Sequence, residues 1–404
     1  MPRSYDRLQR LEATPNDWIA RARALTSVLD QAAPRIEAAK ALPADIVDAL
    51  HAAKLFRMML PRALGGAELD LATFFQVVSA IAEGDASAAW SVSQSSGCAM
   101  AAAYLDAATA REIFGDARAV LSWGFPSAPC RAVPVAGGWK VNGTWGFGSG
   151  NRHSTWLGGH SQLPDGSERT MLFPRAKVAI KPDSWNVVGL RGTGSDTYSV
   201  TDLFVPASQA IVARASGRDL PPAADIEPDD EPERREKGTL YRFSPTSVYQ
   251  SGFAAVSLGI ARATQNAFVA LASQKTPSGG GTLLRENPVV QLRVAQSEAR
   301  LGSARAWVLQ ILREMWEHCA ATGKVSFEHR IQLRLAATFA IQEAREVVET
   351  AYIDAGATAI FEVNPFERRL RDMHAASQQI QSSPMHFQSA GQHYLGLKPN
   401  ARFI

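Results

Sequence analysis

The 404-residue sequence predicts an α+β chain built in three successive parts: helices, a β block, then a bundle of long helices. Three observations carry that reading. Apolar residues recur at helical spacing up to about residue 119. Short apolar stretches punctuated by Gly, Pro and Asn follow from Val120 to Pro206. Long amphipathic stretches occupy the remainder, beyond an acidic Pro-rich run. The implied divisions are an N-terminal helical domain over 1–119, a central β-barrel or sandwich over 120–215, a linker or surface loop over 216–238, and a C-terminal four-helix bundle over 239–404.

In the first part, Leu42-Pro43-Ala44-Asp45 places a proline where a first helical turn tolerates it, and Ile46, Val47, Leu50 and Ala53 form one apolar stripe behind it. Leu60 to Gly66 breaks that helix, Thr73 to Glu83 restarts it, and Gly84-Asp85-Ala86-Ser87 opens a small-residue helix that carries Trp90 and Cys98. In the second part, apolar segments recur about every ten residues, from Val120–Phe125 to Ser199–Val205, with turn residues between them. The 216–238 run holds eight acidic residues and four prolines, the composition of a solvated loop. Beyond it, Phe253 to Lys275, the stretch after Pro288, the stretch through Ile331 and Val347, and a last one from about Phe366 beyond Gln381 read as four helices of an antiparallel bundle.

Bulk properties narrow the class of function. A net charge of +3 with no Lys/Arg block gives no electrostatic footprint for nucleic acid. Cys98, Cys130 and Cys319 are odd in number and far apart, so neither a disulfide framework nor a zinc spacing follows and no metal site is expected. No apolar run reaches the roughly 18–20 residues of a membrane span. The N-terminal residues have no secretory pattern. A soluble, cytoplasmic protein is expected.

One stretch stands out, Gly137-Gly138-Trp139-Lys140-Val141-Asn142-Gly143-Thr144-Trp145-Gly146-Phe147-Gly148-Ser149-Gly150-Asn151. Its Gly-Gly and Asn-Gly pairs favour sharp turns. Trp145, Phe147 and Ser149 fall on alternate positions, one face of a strand if the strand continues that far. Two rings and a hydroxyl on one face suit a flat heteroaromatic ligand; the same spacing suits an aromatic cross-strand cluster beside a hairpin.

Five motifs in order give the chain a family. Leu55-Phe56 with Pro61-Arg62-Ala63-Leu64-Gly65-Gly66, Asn142-Gly143-x-Trp145, Gly189-Leu190-Arg191-Gly192-Thr193-Gly194-Ser195-Asp196, Leu203-Phe204-Val205-Pro206 and Pro365 to Asp372 together resemble the acyl-CoA dehydrogenase fold over nearly the whole length. The resemblance implies a flavin between the β domain and the bundle, and a homotetramer. It also implies that a dehydrogenase would carry a glutamate near Ile380 or Tyr249, to take the weakly acidic α-proton. Neither position is acidic. Trp145-Gly146-Phe147-Gly148-Ser149-Gly150 and Arg371 to Gln379 instead resemble the two-component flavin monooxygenases of this fold. Those enzymes receive reduced FMN or FAD from a separate reductase and oxygenate an aromatic ring with O2 through a flavin C4a-hydroperoxide.

The resemblance assigns roles. Ser149 is expected near flavin N5, with Trp123, Phe125 and Phe147 walling the ring, Gly150 beside it, and Arg191 either approaching the flavin or stabilising its own turn. A water-poor slot is required, because the oxygen adduct decays when water and stray protons reach it. The family's substrate-side histidines fall at Gln379 and Cys98, and glutamine can hydrogen-bond a substrate without taking its proton. The substrate then either needs no strong base, as with an indole, or is served by His374 or a tail histidine, His386 or His393. Trp90 reads as a core residue that faces the expected ligand region, and Asp372 is expected to pair with an arginine. Two alternatives stay open: a flavin dehydrogenase or oxidase on a non-standard substrate, and a non-catalytic flavin-binding member.

Overall fold

The computed structural model describes residues 14–212 and 234–399. Most of the expected acidic run, 216–233, lies outside the described residues. The N-terminal part is five helices: α1 (Pro15–Ala39), α2 (Ala44–Ala52), α3 (Leu71–Gly84), α4 (Ala86–Ala99) and α5 (Ala107–Phe114). Asp85 turns the chain between α3 and α4, and its carboxylate accepts the Ala88 N–H at 2.8 Å as the α4 N-cap. Almost every residue of α4 is buried, in keeping with its small side chains.

The β part is one mixed sheet of eight strands. They are β1 (Leu121–Pro126), β2 (Arg131–Val135), β3 (Gly138–Gly146), β4 (Trp156–Gln162), β5 (Glu168–Pro174), β6 (Ala179–Ile180), β7 (Tyr198–Pro206) and β8 (Ala210–Val212). Their order is β6-β7-β3-β1-β4-β5-β8, and β2 pairs with both β3 and β4, so the sheet curls on itself. One face holds Val141, Trp145, Leu157, Phe173 and Tyr198 in its own core. The other packs Leu121, Trp156, Leu172 and Ile211 against Cys98, Ala99 and Phe114 of the helical part. Trp123 lies at the edge of this second core.

The C-terminal part is α6 (Pro245–Ala272), α7 (Pro288–Thr322), α8 (Phe327–Ala355), α9 (Phe366–Ser377) and α10 (Met385–Tyr394). Ser244 caps α6 and Pro245 begins it, so α6 starts before Phe253 and includes Tyr249 and Gln250. The expected last helix is shorter than its sequence pattern. α9 stops at Ser377, a short 3-10 turn spans Ile380–Ser382, and α10 follows Pro384.

The three parts meet at the loop 189–196. A Cβ on Gly189 would lie 2.0 Å from the Arg371 carbonyl oxygen of α9, and one on Gly192 would lie 2.1 Å from Ile36 Cγ2 of α1. Only a residue without a side chain permits either approach. The Leu190 N–H donates to Asp372 Oδ1 at 2.6 Å, and Arg371 donates to Glu37, Glu367 and the Val188 carbonyl.

Candidate active site

Ser149 stands at this junction, though not on the strand expected for it. β3 ends at Gly146, and Phe147 takes a left-handed φ of +59°. The alternation of faces therefore stops there. Trp145 is fully buried against Phe173 and Tyr198, and its indole N–H donates to the His160 carbonyl at 3.0 Å. Phe147 is 65% exposed, with its ring edge-on to Trp185. The single ring-and-hydroxyl face read from the spacing is thus divided: Trp145 belongs to the sheet core, and only Phe147 and Ser149 face outward from it.

The turn beyond Phe147 places the Ser149 hydroxyl in a chain of hydrogen bonds. Trp90 Nε1 donates to Ser149 Oγ at 3.2 Å, and Ser149 Oγ lies 2.8 Å from Ser195 Oγ. Ser195 Oγ is 2.7 Å from Thr193 Oγ1, which donates to the Leu190 carbonyl at 2.8 Å. Gly150, at φ +80°, donates its N–H to the Thr193 carbonyl and so ties the Ser149 turn to the same loop.

A column of rings runs inward from Ser149. Trp90 lies 4.5 Å from Phe253, Phe253 stacks on Tyr249 at 6.1 Å, and the Tyr249 hydroxyl is 3.7 Å from Cys98 Sγ. The Trp123 side chain hydrogen-bonds the Tyr249 hydroxyl and, since an indole nitrogen only donates, the phenol oxygen accepts. Tyr249 packs on Gly97, where a Cβ would come within 2.4 Å of its ring. Burial raises the Tyr249 phenol well above its ordinary range and pushes the Cys98 thiol up to about 12, so both are neutral. Gln94, half-buried, is four residues from both Trp90 and Cys98 on α4 and shares their face.

Other predicted residues lie elsewhere. His374 Nε2 is 3.3 Å from Glu349 Oε1 of α8, with 45% of its side chain exposed, a polar contact on the bundle surface. Gln379 follows the end of α9, and its side-chain oxygen accepts the Gln381 N–H as a cap of the 3-10 turn. Arg191 faces α1, with Nη1 3.5 Å from Glu37, so it braces the turn. Arg152 pairs with buried Asp196 at 2.6 Å, and His153 packs against Phe56 at 5.5 Å. Burial, with His51 and Arg175 nearby, lowers the His153 pKa to about 4. His386 is buried beside the Ile380 carbonyl, and His393 contacts Glu328. Phe125 pairs with Gly146 at the rim and is 60% exposed. The enclosed slot expected from Trp123, Phe125 and Phe147 is therefore closed at its Trp123 end only, and Phe125 and Phe147 form an open shelf in the single chain.

The structure thus brings together Trp90, Cys98, Trp123 and Ser149 and adds Ser195, Thr193, Tyr249 and Phe253. Ser195 and Thr193 lie inside the Gly189–Asp196 motif, but the sequence gives no sign of their contact with Ser149, because Ser149 and Ser195 are 46 residues apart. A flavin fits what is present: exposed rings at the rim for its faces, a buried hydroxyl with one lone pair unspent beside them, and neutral walls behind. Among the described residues no cluster of His, Cys, Asp and Glu could hold a metal, and no helix is long and apolar enough to cross a membrane.

Fold and site together define a flavoprotein of acyl-CoA dehydrogenase architecture. The chain matches the acyl-CoA dehydrogenase N-terminal domain over residues 20–112 and its C-terminal domain over 251–384. It belongs to that family. Within it, the chain is 29% identical over 401 residues to an indole-3-acetate monooxygenase of Pseudomonas putida, covering 96% of this chain and 97% of that one. It is 27% identical to the oxygenase subunit HsaA, a flavin-dependent monooxygenase, of Rhodococcus jostii, over 89% and 93% of the two chains. The crystal structure of the HsaA monooxygenase from M. tuberculosis superposes with a TM-score of 0.86 at 25% identity, over 96% of this chain and 100% of that one.

Proposed function

We propose that the chain is the oxygenase component of a two-component flavin-dependent monooxygenase that hydroxylates a small aromatic substrate. One observation carries the reading. The ring column that starts at Ser149 ends at Tyr249, a position where a dehydrogenase of this fold would place a carboxylate, and burial holds that phenol neutral. The other such position, Ile380, is an exposed apolar residue at the start of a short turn. The relatives' names, indole-3-acetate monooxygenase and flavin-dependent monooxygenase, point the same way.

Reduced FMN or FAD, delivered by a separate reductase, supplies the activation of O2. The chain supplies the rest. Phe125 and Phe147 offer apolar surface to the ring system, and Ser149 offers a hydrogen-bond acceptor toward N5. Trp90, Phe253 and Trp123 keep water from the inner end, and Tyr249 and Gln94 orient the substrate through its polar edge. These groups hold a ring N–H or hydroxyl in place, while a neutral phenol or amide draws no proton from it.

The exposed Phe125 and Phe147 gain cover in an oligomer, and a second apolar surface supports self-association. Val289 and Leu292 of α7 and Ile353 of α8 are exposed at one end of the bundle, where Arg293 pairs with Asp354, and Ile360, Phe361 and Val363 follow α8. A homotetramer is the reading, checked by light scattering on the eluting protein. The cysteines are unpaired, as in the reducing cytoplasm.

The test is oxygen consumption by the purified chain with FMN or FAD, a flavin reductase, NADH and indole-3-acetate or a phenol. Oxygenated product that requires the reductase is expected. A protein that holds oxidised flavin through purification, and is bleached by an acyl thioester with no reductase present, would be a dehydrogenase.

A further inference from the structure

We infer that Ser195 and Thr193 fix the direction of the Ser149 hydroxyl, so that Ser149 presents a lone pair and no proton to the flavin, and that this pair sets a preference for reduced over oxidised flavin. The inference rests on the reading above that Ser149 faces N5.

The direction follows from counting protons. The Leu190 carbonyl carries none, so the 2.8 Å contact with Thr193 Oγ1 uses the Thr193 proton. Thr193 then has only a lone pair for Ser195, and the 2.7 Å contact between them uses the Ser195 proton. Ser195 in turn has only a lone pair for Ser149, so the 2.8 Å contact uses the Ser149 proton. Ser149 also accepts from the Trp90 indole at 3.2 Å. One lone pair of its oxygen is left. All three hydroxyl residues are buried, so no solvent proton enters to reverse the chain. Its far end is fixed as well, because Leu190 is held by Asp372 through its N–H and receives the Trp185 indole on its carbonyl.

Reduced flavin carries a hydrogen on N5 and donates there. Oxidised flavin has a bare lone pair at the same atom. Facing Ser149, the first makes a hydrogen bond and the second sets two acceptors against each other. For Ser149 to donate to oxidised flavin it must withdraw its proton from Ser195, leaving a buried acceptor without a donor. The balance favours the reduced form by about tenfold or more, the size of one unmade buried hydrogen bond. Ser195 and Thr193 need not touch the flavin; they are positioning residues.

The test is anaerobic equilibrium dialysis of the full chain with FMN and with FAD, each oxidised or dithionite-reduced, scored as the ratio of the two dissociation constants. Ser195→Ala leaves the Ser149 proton without its acceptor and free for oxidised N5. Thr193→Val releases the Ser195 proton to Ser149, which frees the Ser149 proton in the same way. Each is expected to lower the oxidised-to-reduced ratio about tenfold, and Ser195→Thr, which keeps a hydroxyl, is expected to restore it. A change that only loosened the loop would weaken both redox states together and leave the ratio alone. If Ser149→Ala lowers the ratio while Ser195→Ala and Thr193→Val stay within about twofold of the parent, the directional chain is wrong and the flavin site stands. If Ser149→Ala leaves the ratio unchanged, or neither flavin binds, Ser149 is not at N5 and both readings fall.

Discussion

Asp372→Asn isolates the titration of the carboxyl that anchors the 189–196 loop. The Asp372 carboxyl is buried between the loop and the bundle, 4.0 Å from Arg368, which also faces Asp85 at 3.6 Å. Burial is the main cause that pushes its pKa up to about 7, Asp85 and Glu37 add to the rise, and Arg368 and the Leu190 N–H oppose it. In the unfolded chain the same group titrates near 3.8. Between these values the folded protein keeps a proton that the unfolded chain has lost, so stability falls as pH rises through the window. The cost is complete above about pH 7 and absent below about pH 4. Raising the value from 3.8 to about 7 amounts to about 4 kcal/mol. The part that falls between pH 5 and pH 8 is about 2–3 kcal/mol. Asparagine keeps an oxygen for the Leu190 N–H and does not titrate. The variant is therefore expected to gain about 2–3 kcal/mol on the parent between pH 5 and pH 8. Urea midpoints of both proteins, at one protein concentration across that range, give the difference directly. A difference that stays flat with pH would falsify the assignment of this titration to Asp372.

Three further outcomes are expected. Gly97→Ala puts a methyl 2.4 Å from the Tyr249 ring; this should displace the ring at a cost of about 1–3 kcal/mol and cut product formation far more than reduced-flavin binding, read by turnover beside dialysis. Phe147→Ala removes an exposed face of the shelf and should weaken reduced-flavin binding about five- to tenfold, with thermal unfolding unchanged; equal affinity would take Phe147 out of the site. His374→Ala breaks only a half-exposed pair with Glu349, worth at most about 1 kcal/mol, so turnover should stay within about twofold, whereas a large loss would return His374 to the chemistry.

The fold was legible because its signals are local. Helical periodicity marks α1 to α5 and α6 to α9, and turn residues at regular intervals mark the strands, each without reference to distant partners. What failed to read lies where a local pattern is overruled or a partner is remote. Alternation carries Phe147 and Ser149 onto the strand, and the positive φ of Phe147 ends it at Gly146, three residues short of Ser149. Helical spacing carried α9 past Gln379, but the chain leaves the helix at Ser377 and Gln379 caps the turn that follows. His374 stands in the sequence as a substitute for the family histidine, and Arg191 as either a flavin contact or a brace of its turn; both face glutamates of neighbouring helices. Ser149 and Trp90 were marked, while the hydroxyl chain behind them needed residues brought in from the far side of the sheet.

The glycine seam at 189 and 192 bears on how a cofactor comes and goes. With main chain pressed on main chain at Gly189, a side chain of α1 against Gly192, and Arg371 tied to three separate segments, the seam has no slack for the helical layers to swing apart there. A flavin held as proposed would therefore pass over the lip that carries Phe125 and Phe147, the part of the proposed site left exposed.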